Sequence, residues 1–183
     1  MAADENPQSV ATRRRVIVGL SAGVAALRTP HSHAEAAGVV ARNMESIHQE
    51  ITFEAPPERI YTALTDAGEF HKVVLRSDAV RSGMVKMTQP TQISREAGGE
   101  FALFGAVIVG RQIELVPNMR IVQAWRAVDW GPGVYSIARF ELVKQGTGTR
   151  LVFDHTGFPK GQAEHLVQGW NTNYWQPLAQ VLS

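Results

Sequence analysis

Three polar residues fall at positions where strand alternation predicts that the side chain faces the interior of the protein. In an extended strand every second side chain lies on the same face. On this basis Arg111, Gln123 and His155 each share a face with large apolar residues of their own strand. An unpaired polar group in an apolar interior costs about 1–3 kcal/mol. We therefore expect each of the three to have a partner, either in the protein or in a bound molecule.

The chemistry open to this set is proton transfer by a histidine and stabilisation of an anion by an arginine. Histidine titrates near neutrality, so His155 and Arg111 are the candidate catalytic residues. In a second interpretation the three polar residues orient an apolar ligand, as converging polar groups do in small-molecule sites. In a third they are structural, with His155 bonded to a backbone carbonyl and Arg111 paired with a carboxylate such as Glu164. The residues alone leave all three open.

Aromatic side chains are predicted to surround these polar residues, either as packed core or as the wall of a site. Trp130, beside the loop Gly131-Pro132-Gly133, is expected at the rim of such a site. The residues predicted to bind a ligand are Phe101, Arg111, Gln123, Trp125, His155, Phe158, Trp170 and Tyr174.

Recognised cofactor and nucleophile motifs are missing from the sequence. No serine lies in a Gly-x-Ser-x-Gly turn, and no glycine pattern matches a phosphate loop or a dinucleotide fingerprint. The absence of cysteine excludes disulfides, thiolate metal sites and a cysteine nucleophile. His155 and His165 are not at a recognised metal-ligand spacing. We therefore expect no cofactor and no metal.

Alternating and helical patterns indicate which elements position these residues. Short connections between successive strands favour an antiparallel meander. The C-terminal helix carries an apolar stripe at steps of three and four residues, and Pro177 is expected to kink it. The predicted order is a strand at 47–54, a helix from Ala55, a short helix at 69–74, strands at 100–104, 106–116, 120–128, 135–144 and 150–156, and a helix at 160–182.

A sheet with one apolar face needs a cover, and the long C-terminal helix is the predicted element large enough to supply it. We therefore expect an α+β fold, in which a curved antiparallel sheet wraps around that helix and leaves a cavity between them. The stripe that would face the sheet consists of Leu166, Trp170, Tyr174, Leu178 and Val181.

Length and composition favour one globular domain. The chain has 183 residues, of which 44% are hydrophobic and 19% charged. The formal net charge of +1 depends on four arginines in the first 34 residues, and the remainder is close to neutral. Neither nucleic-acid binding nor a polybasic membrane patch is expected, because both need clustered basic residues.

The first 34 residues have the pattern of an export signal. Arg13, Arg14 and Arg15 precede an apolar run at 16–27, which is too short to span a bilayer that needs about 20 residues. The arginine run resembles a twin-arginine signal, and Ala34 ends one of two candidate cleavage sites. We expect a signal segment at 1–34, a linker at 35–46 and a domain at 47–183, exported to the periplasm and without stable membrane insertion after signal removal. A cytoplasmic location is the alternative.

Short motifs occur along the second half of the chain. They are Gly99-Glu100-Phe101, Phe104-Gly105, Gly110-Arg111, Glu114-Leu115-Val116-Pro117, Trp125-Arg126, Phe153-Asp154-His155-Thr156-Gly157-Phe158-Pro159, His165-Leu166, Gly169-Trp170 and Tyr174-Trp175. Together with the opening residues 51–65, these motifs resemble the START-like (SRPBCC, helix-grip) superfamily, and within it bacterial proteins similar to the C-terminal domain of the activator of the Hsp90 ATPase.

The resemblance implies the fold more sharply than the function, because members of the superfamily bind hydrophobic ligands, cyclise polyketides or assist chaperones. The leading hypothesis is an exported protein that binds a small hydrophobic or aromatic ligand between sheet and helix. One alternative is a cofactor-free cyclase, hydratase or lyase that uses the same cavity. The other is an Hsp90-activator-like co-chaperone, although a signal segment stands where the eukaryotic activator has its chaperone-contacting domain.

Overall fold

One seven-stranded sheet organises the part of the chain that the computed structural model describes, residues 44–183. The predicted signal segment and most of the predicted linker lie outside these residues. Within them, no helix is both long and apolar enough to cross a membrane. The elements are β1 (Met44–Phe53), α1 (Pro57–Thr65), α2 (Ala67–Arg76), α3 (Asp78–Arg81), β2 (Gln92–Ile93), β3 (Glu100–Leu103), β4 (Ile108–Val116), β5 (Arg120–Ala127), β6 (Ser136–Gln145), β7 (Gly148–Pro159), α4 (Ala163–Trp170), a π-helical segment (Asn171–Trp175) and α5 (Gln176–Leu182).

In this sheet β2 to β7 form an antiparallel meander, and β1 lies at the edge beside β7. Its order is β1-β7-β6-β5-β4-β3-β2, and every neighbouring pair is antiparallel. The C-terminal helical region covers the inner face, and Leu166, Trp170, Tyr174 and Leu178 of its stripe are buried there. Burial of each such side chain contributes about 1.5–3 kcal/mol. The predicted α+β helix-grip fold is therefore confirmed.

Both ends of the β1–β7 pairing extend beyond the predicted strands. Glu45 pairs with Phe158 and Ser46 with Thr156, so Gly157 forms a bulge and has a φ of 77°. Glycine adopts that conformation without a steric penalty, and the strand continues where the sequence pattern ended it. The Glu45 carboxylate also accepts hydrogen bonds from the backbone N–H groups of Gly161 and Ala163. These contacts place the start of β1 within the range expected as linker and fix it beside the start of α4.

A second bulge reverses the predicted orientation of Arg111. The β4–β5 ladder pairs Gln112 with Gln123 and Glu114 with Val122, which leaves Ile113 unpaired. An extra residue shifts the alternation of side chains from one face to the other, so counting back from Leu115 gives the wrong face.

The prediction that Arg111 faces the interior is therefore wrong. Its side chain is 59% exposed on the outer face, where it pairs with Glu100 rather than with the expected Glu164. The inward residue at this point of β4 is Gln112, which is 1% exposed and which alternation did not predict.

The C-terminal helix is interrupted where Pro177 was expected to disturb it. Proline has no N–H to donate to the carbonyl of Asn173, and the turn before it widens to a π-helix. There the N–H of Gln176 donates to the carbonyl of Asn171, five residues back. The wider turn brings both Tyr174 and Trp175 to the buried side.

Two glycine-to-alanine substitutions compare a crowded position within the sheet with an open position in the C-terminal helical region. A Cβ at Gly110 would overlap the carbonyl oxygen of Ala124 and the ring of Phe101, so we expect Gly110→Ala to lower the free energy of unfolding by about 3 kcal/mol. A Cβ at Gly169, in α4, would approach Asn173 Nδ2 no closer than 3.9 Å, and we expect Gly169→Ala to raise it by about 0.5–1 kcal/mol. Urea unfolding followed by circular dichroism measures both. Equal urea midpoints for the two variants would contradict the register of β3 and β4.

Candidate functional site

A pocket of about 350 Å³ opens between the C-terminal helical region and one end of the sheet. α4 and the π-helical segment form one wall, the ends of β4 and β5 form the opposite wall, and the chain after α3 closes a third side. The volume is at the lower end of the range for small-molecule sites. Its apolar lining includes Val85, Phe104, Ile108, Trp125, Leu166 and Trp170.

Exposed apolar side chains stand at the mouth of this pocket. Met84, Val107 and Val128 line it and are more than a third exposed. Asp129 and His165 also line it and are exposed. The pocket is therefore apolar within and has its ionisable groups at the solvent-facing edge.

Two connections hold the pocket wall in place. The Asn173 side-chain oxygen accepts a hydrogen bond of 2.9 Å from the backbone N–H of Ala79, which ties the π-helical segment to α3. Phe104 and Ala106 have positive φ angles of 53° and 71°, which are uncommon for residues other than glycine. The Phe104 ring centre lies 5.4 Å from that of Tyr174, so the turn between β3 and β4 packs directly against the π-helical segment.

The structure brings together only some of the residues predicted to bind a ligand. Trp125, Trp170 and Tyr174 line the pocket, as does Trp130, which was expected at a rim. Phe101 and Gln123 instead border a void of about 10 Å³ that also contacts Tyr174. That volume is no more than a single water needs. The alternation of side chains in β5 predicted that Ile121, Gln123 and Trp125 face inward, and all three are buried.

Gln123 has a protein partner and does not need a ligand. Its side-chain nitrogen donates to the side-chain oxygen of Gln112 at 3.2 Å, and Gln112 in turn donates to the carbonyl of Ser94 at 3.3 Å. Phe158 is fully buried and packs its ring 5.1 Å from that of His155. Neither Gln123 nor Phe158 borders the pocket of 350 Å³.

His155 is fully buried and both of its ring nitrogens are occupied. The Trp170 indole N–H donates to His155 Nδ1 at 3.0 Å, and His155 Nε2 lies 2.6 Å from Ser136 Oγ. Indole nitrogen is only a donor, so Nδ1 accepts and Nε2 carries the hydrogen. The Ser136 hydroxyl then donates to the carbonyl of Trp125 at 3.0 Å. This series of hydrogen bonds leaves neither ring nitrogen of His155 free for a ligand. The arrangement is the structural one among the alternatives that the sequence left open, except that His155 bonds to a serine and not to a backbone carbonyl.

Burial lowers the pKa of His155 to about 3, because the charged ring loses its hydration and gains no anionic partner. The residue therefore stays neutral at ordinary pH. With Arg111 on the outer face, the two candidate catalytic residues do not meet. In residues 44–183, no three His, Asp or Glu side chains are grouped as metal ligands.

Two other buried polar atoms lie on residues of the pocket wall. Trp125 Nε1 and the Tyr174 hydroxyl have no hydrogen-bond partner within the described residues. Burial raises the pKa of Tyr174 far above its usual range, and the nearby Trp125 N–H opposes this rise only in part. The phenol is therefore protonated and can donate.

The residues that the sequence did not reveal come mainly from loops. Met84 lies outside every predicted element. Phe104, Val107 and Val128 lie at the ends of the strands predicted at 100–104, 106–116 and 120–128, and the structure places all three in the connecting loops. Asn173 was the exception that a pattern could have found, since it precedes Tyr174 in the C-terminal stripe and is polar at a position beside the predicted interior.

The buried histidine makes stability depend on pH in a defined direction. The unfolded chain binds a proton at His155 near pH 6.5, whereas the folded chain does so only at about pH 3. As the pH is lowered, the unfolded state therefore binds this proton before the folded state does. The free energy of unfolding should fall by up to about 1.4 kcal/mol for each pH unit of acidification between these two values. Urea unfolding at a series of pH values measures this slope, and His155→Gln should make it shallower.

His48→Gln is the matched control for that experiment. His48 is exposed, and its hydrogen bond to Asp154 raises its pKa. Its contribution is present below pH 6.5 and is lost as the pH rises, which is the opposite sign. Removing it should not relieve the loss of stability in acid. An unchanged acid slope in His155→Gln would show that the ring is protonated in the folded protein.

Comparison with known proteins places this fold in a family. The family model described as "Activator of Hsp90 ATPase homolog 1-like protein" matches residues 54–183. Uncharacterized protein C1711.08 of Schizosaccharomyces pombe is 30% identical over 133 residues, which cover 73% of this chain and 35% of that protein. The human activator of 90 kDa heat shock protein ATPase homolog 1 is 25% identical over 120 residues, which cover 66% of this chain and 35% of the human one. The chain thus matches about a third of the length of these curated relatives.

Solved structures agree with the fold. PFC0360w, described as an Hsp90 activator from Plasmodium falciparum, superimposes with a TM-score of 0.65 at 24% identity, over 75% of this chain and 95% of that one. Protein CV1439 from Chromobacterium violaceum gives a TM-score of 0.60 at 25% identity, over 75% and 96% of the two chains. With residues 54–183 matched and the seven-stranded sheet and C-terminal helical region in place, the chain belongs to the family of activator of Hsp90 ATPase homolog 1-like proteins and has the START-like helix-grip fold.

Proposed function

We propose that this protein binds a small, mostly apolar ligand in the pocket between the C-terminal helical region and the sheet. The observation that carries the proposal is the pocket of about 350 Å³ with its lining of aromatic and aliphatic side chains. Apolar surface of this kind gains free energy when a ligand replaces the water in contact with it. The wall is built from the well-packed aromatic core, so the site is largely formed before a ligand enters.

The cofactor-free enzyme is supported less than the binding protein. A cyclase, hydratase or lyase needs a group that moves a proton beside the bound substrate. His155 lies behind the wall in a closed network, and Arg111 lies on the opposite face of the sheet. The ionisable side chains of the pocket are Asp129 and His165, which stand exposed at its edge. These positions favour binding over proton transfer.

Gly169→Leu tests the binding proposal by filling the pocket from one wall. Gly169 lines the pocket and has room for a side chain, so leucine there should occupy the site without unfolding the helix. We expect it to weaken binding of the neutral fluorophore prodan by about tenfold or more, measured from the fluorescence rise on titration. Gln168→Leu adds the same side chain to the exposed side of α4 and should leave binding unchanged. Equal prodan affinity in both variants would place the fluorophore elsewhere.

A second candidate function is stimulation of an Hsp90-type ATPase. The observations that favour it are the names of the relatives and the exposed apolar side chains at the pocket mouth, Met84, Val107 and Val128. Exposed apolar groups that cluster on one surface are typical of contact sites for other proteins. Because the curated relatives are about three times longer than the region that this chain matches, their activity is a proposal for this chain.

Two exposed methionines separate this candidate from a general effect on stability. Met84 is 77% exposed at the pocket mouth, and Met119 is 61% exposed in the β4–β5 turn. If the mouth contacts the ATPase, added protein should raise its rate of ATP hydrolysis, Met84→Ser should reduce that stimulation several-fold, and Met119→Ser should not. A steady-state ATPase assay with purified bacterial Hsp90 makes the measurement. If the unmodified chain does not stimulate ATP hydrolysis, this candidate function is wrong.

Export of the chain through residues 1–34 stays a prediction from the sequence.

A further inference from the structure

The side chains that line the pocket carry charge of one sign only. Among the described residues, no lysine or arginine lines the pocket, and Asp129 is the acidic side chain at its edge. Asp129 is exposed, and every salt bridge within residues 44–183 joins other residues. The edge of the pocket therefore has a carboxylate whose charge no described lysine or arginine pairs with.

The arginine nearest to Asp129 in the sequence is held away from the pocket. Arg126 follows the inward-facing Trp125 in β5, so it lies on the outer face of the sheet. Its guanidinium donates to the carbonyl of Trp130 at 2.8 Å and lies 5.9 Å from the ring centre of Tyr135. Neither Arg126 nor Tyr135 lines the pocket. Asp129 is therefore the charged group that borders the space a ligand would occupy.

The aromatic surface of the pocket has the same electrostatic preference as the carboxylate. Trp125, Trp130 and Trp170 line the pocket together with Tyr174. The face of an aromatic ring carries partial negative charge and attracts cations, and the indole ring does so most strongly. Trp130 is adjacent to Asp129 in the sequence, and both belong to the loop after β5. A positively charged group at this edge would be attracted by both side chains.

An anionic ligand finds no matching group in this pocket. A carboxylate or phosphate in the apolar space would lose its hydration and gain no cation in return, and at the edge it would be repelled by Asp129. The overall charge of the protein does not have this preference, because the formal net charge of the chain is +1. A preference for cations would therefore have a local origin.

We propose that the ligand is an amphiphilic cation, with an apolar body inside the pocket and an ammonium group at the edge beside Asp129 and Trp130. This inference rests on the proposed function, because it specifies the ligand class of the same pocket. A cation at the solvent-facing edge keeps part of its hydration and so avoids the desolvation cost of a buried charge. The apolar body supplies most of the affinity, and the edge selects the sign of the charge.

Three naphthalene probes that differ mainly in charge test the proposal. They are β-naphthylethylamine, β-naphthylethanol and β-naphthylacetate. At about pH 7.5 the amine is protonated, the acetate is ionised and histidine side chains are mostly neutral. Displacement of prodan from the full chain gives the three affinities, at about 10 mM salt, where screening is weak. We expect the amine to bind about tenfold more tightly than the acetate, with the alcohol between them.

Asp129→Asn identifies the origin of the preference, because it removes the charge and keeps the size of the side chain. We expect the ratio of amine affinity to acetate affinity to fall at least threefold in this variant. Glu58→Gln removes the same charge from an exposed side chain of α1 that does not line the pocket, and it should leave the ratio unchanged. Asp129 is exposed and outside every salt bridge, so Asp129→Asn should unfold at the same urea concentration as the unmodified chain.

The possible results separate this inference from the proposed function. A tenfold ratio that persists in Asp129→Asn would overturn the assignment to Asp129. Equal binding of amine and acetate to the unmodified chain, or tighter binding of the acetate, would overturn the cation inference. Displacement of prodan by the alcohol would then still support the binding function. If neither prodan nor the alcohol binds, the proposed function and the inference are both wrong.

Discussion

The position of Trp170 is the constraint on which the rest of the structure depends. Its ring lies 4.3 Å from that of Phe153 on β7 and 5.7 Å from that of Trp125 on β5, so one side chain joins the helix to two strands of the sheet. Its indole N–H donates to His155, which fixes the rotation of the ring as well as its depth. An apolar side chain of the same size would bury similar area but leave that rotation free. The pocket wall that Trp170 forms is therefore held in one orientation by a bond on its far side.

The C-terminal helical region changes its geometry beside the pocket. Up to Trp170 the stripe has ordinary α-helical spacing, and after it the π turn brings Tyr174 and Trp175 inward together. Trp175 then packs toward β1, where its indole N–H donates to the side chain of Gln49, while Tyr174 turns toward Phe70 and Phe104. Although Tyr174 and Trp175 are adjacent in the sequence, their side chains therefore point toward different parts of the core. Space remains between the helix and the ends of β4 and β5, and Pro177 explains why the widened turn is tolerated at this point.

The sequence was sufficient for the fold and for those site residues whose strands have no irregularity. Alternation placed Gln123, Trp125 and His155 on the inner face, because β5 and the middle of β7 keep an unbroken register with their neighbours. It failed for Arg111, because the unpaired Ile113 shifts the phase of β4 and no turn residue marks the bulge. The short elements α3 and β2 were not predicted, since four and two residues carry too little periodicity. The loops that complete the pocket come from separate parts of the chain and meet only in the folded protein, which depends on many residues and not on one motif.

The inner face of this protein contains two kinds of buried polar group, which differ in whether they have hydrogen-bond partners. In the interior, His155 and Ser136 satisfy every donor and acceptor with one another and with Trp170 and a backbone carbonyl. Such a closed network stabilises a single packing and has nothing left to offer a ligand. By contrast, Trp125 Nε1 and the Tyr174 hydroxyl have no partner at ordinary hydrogen-bond distance within the described residues. Burial raises the pKa of this phenol, and the Trp125 N–H opposes the rise in part.

The Tyr174 hydroxyl costs free energy on burial, because it has no partner at ordinary hydrogen-bond distance within the described residues. The ring of Tyr174 packs against Phe70, Phe104 and Trp170, and these aromatic contacts stabilise it in the core. The histidine attracts attention in the sequence because it is the residue type associated with catalysis, yet it is structural here. The tyrosine fits the apolar stripe that the sequence predicts, and its ring contacts account for its position in the core.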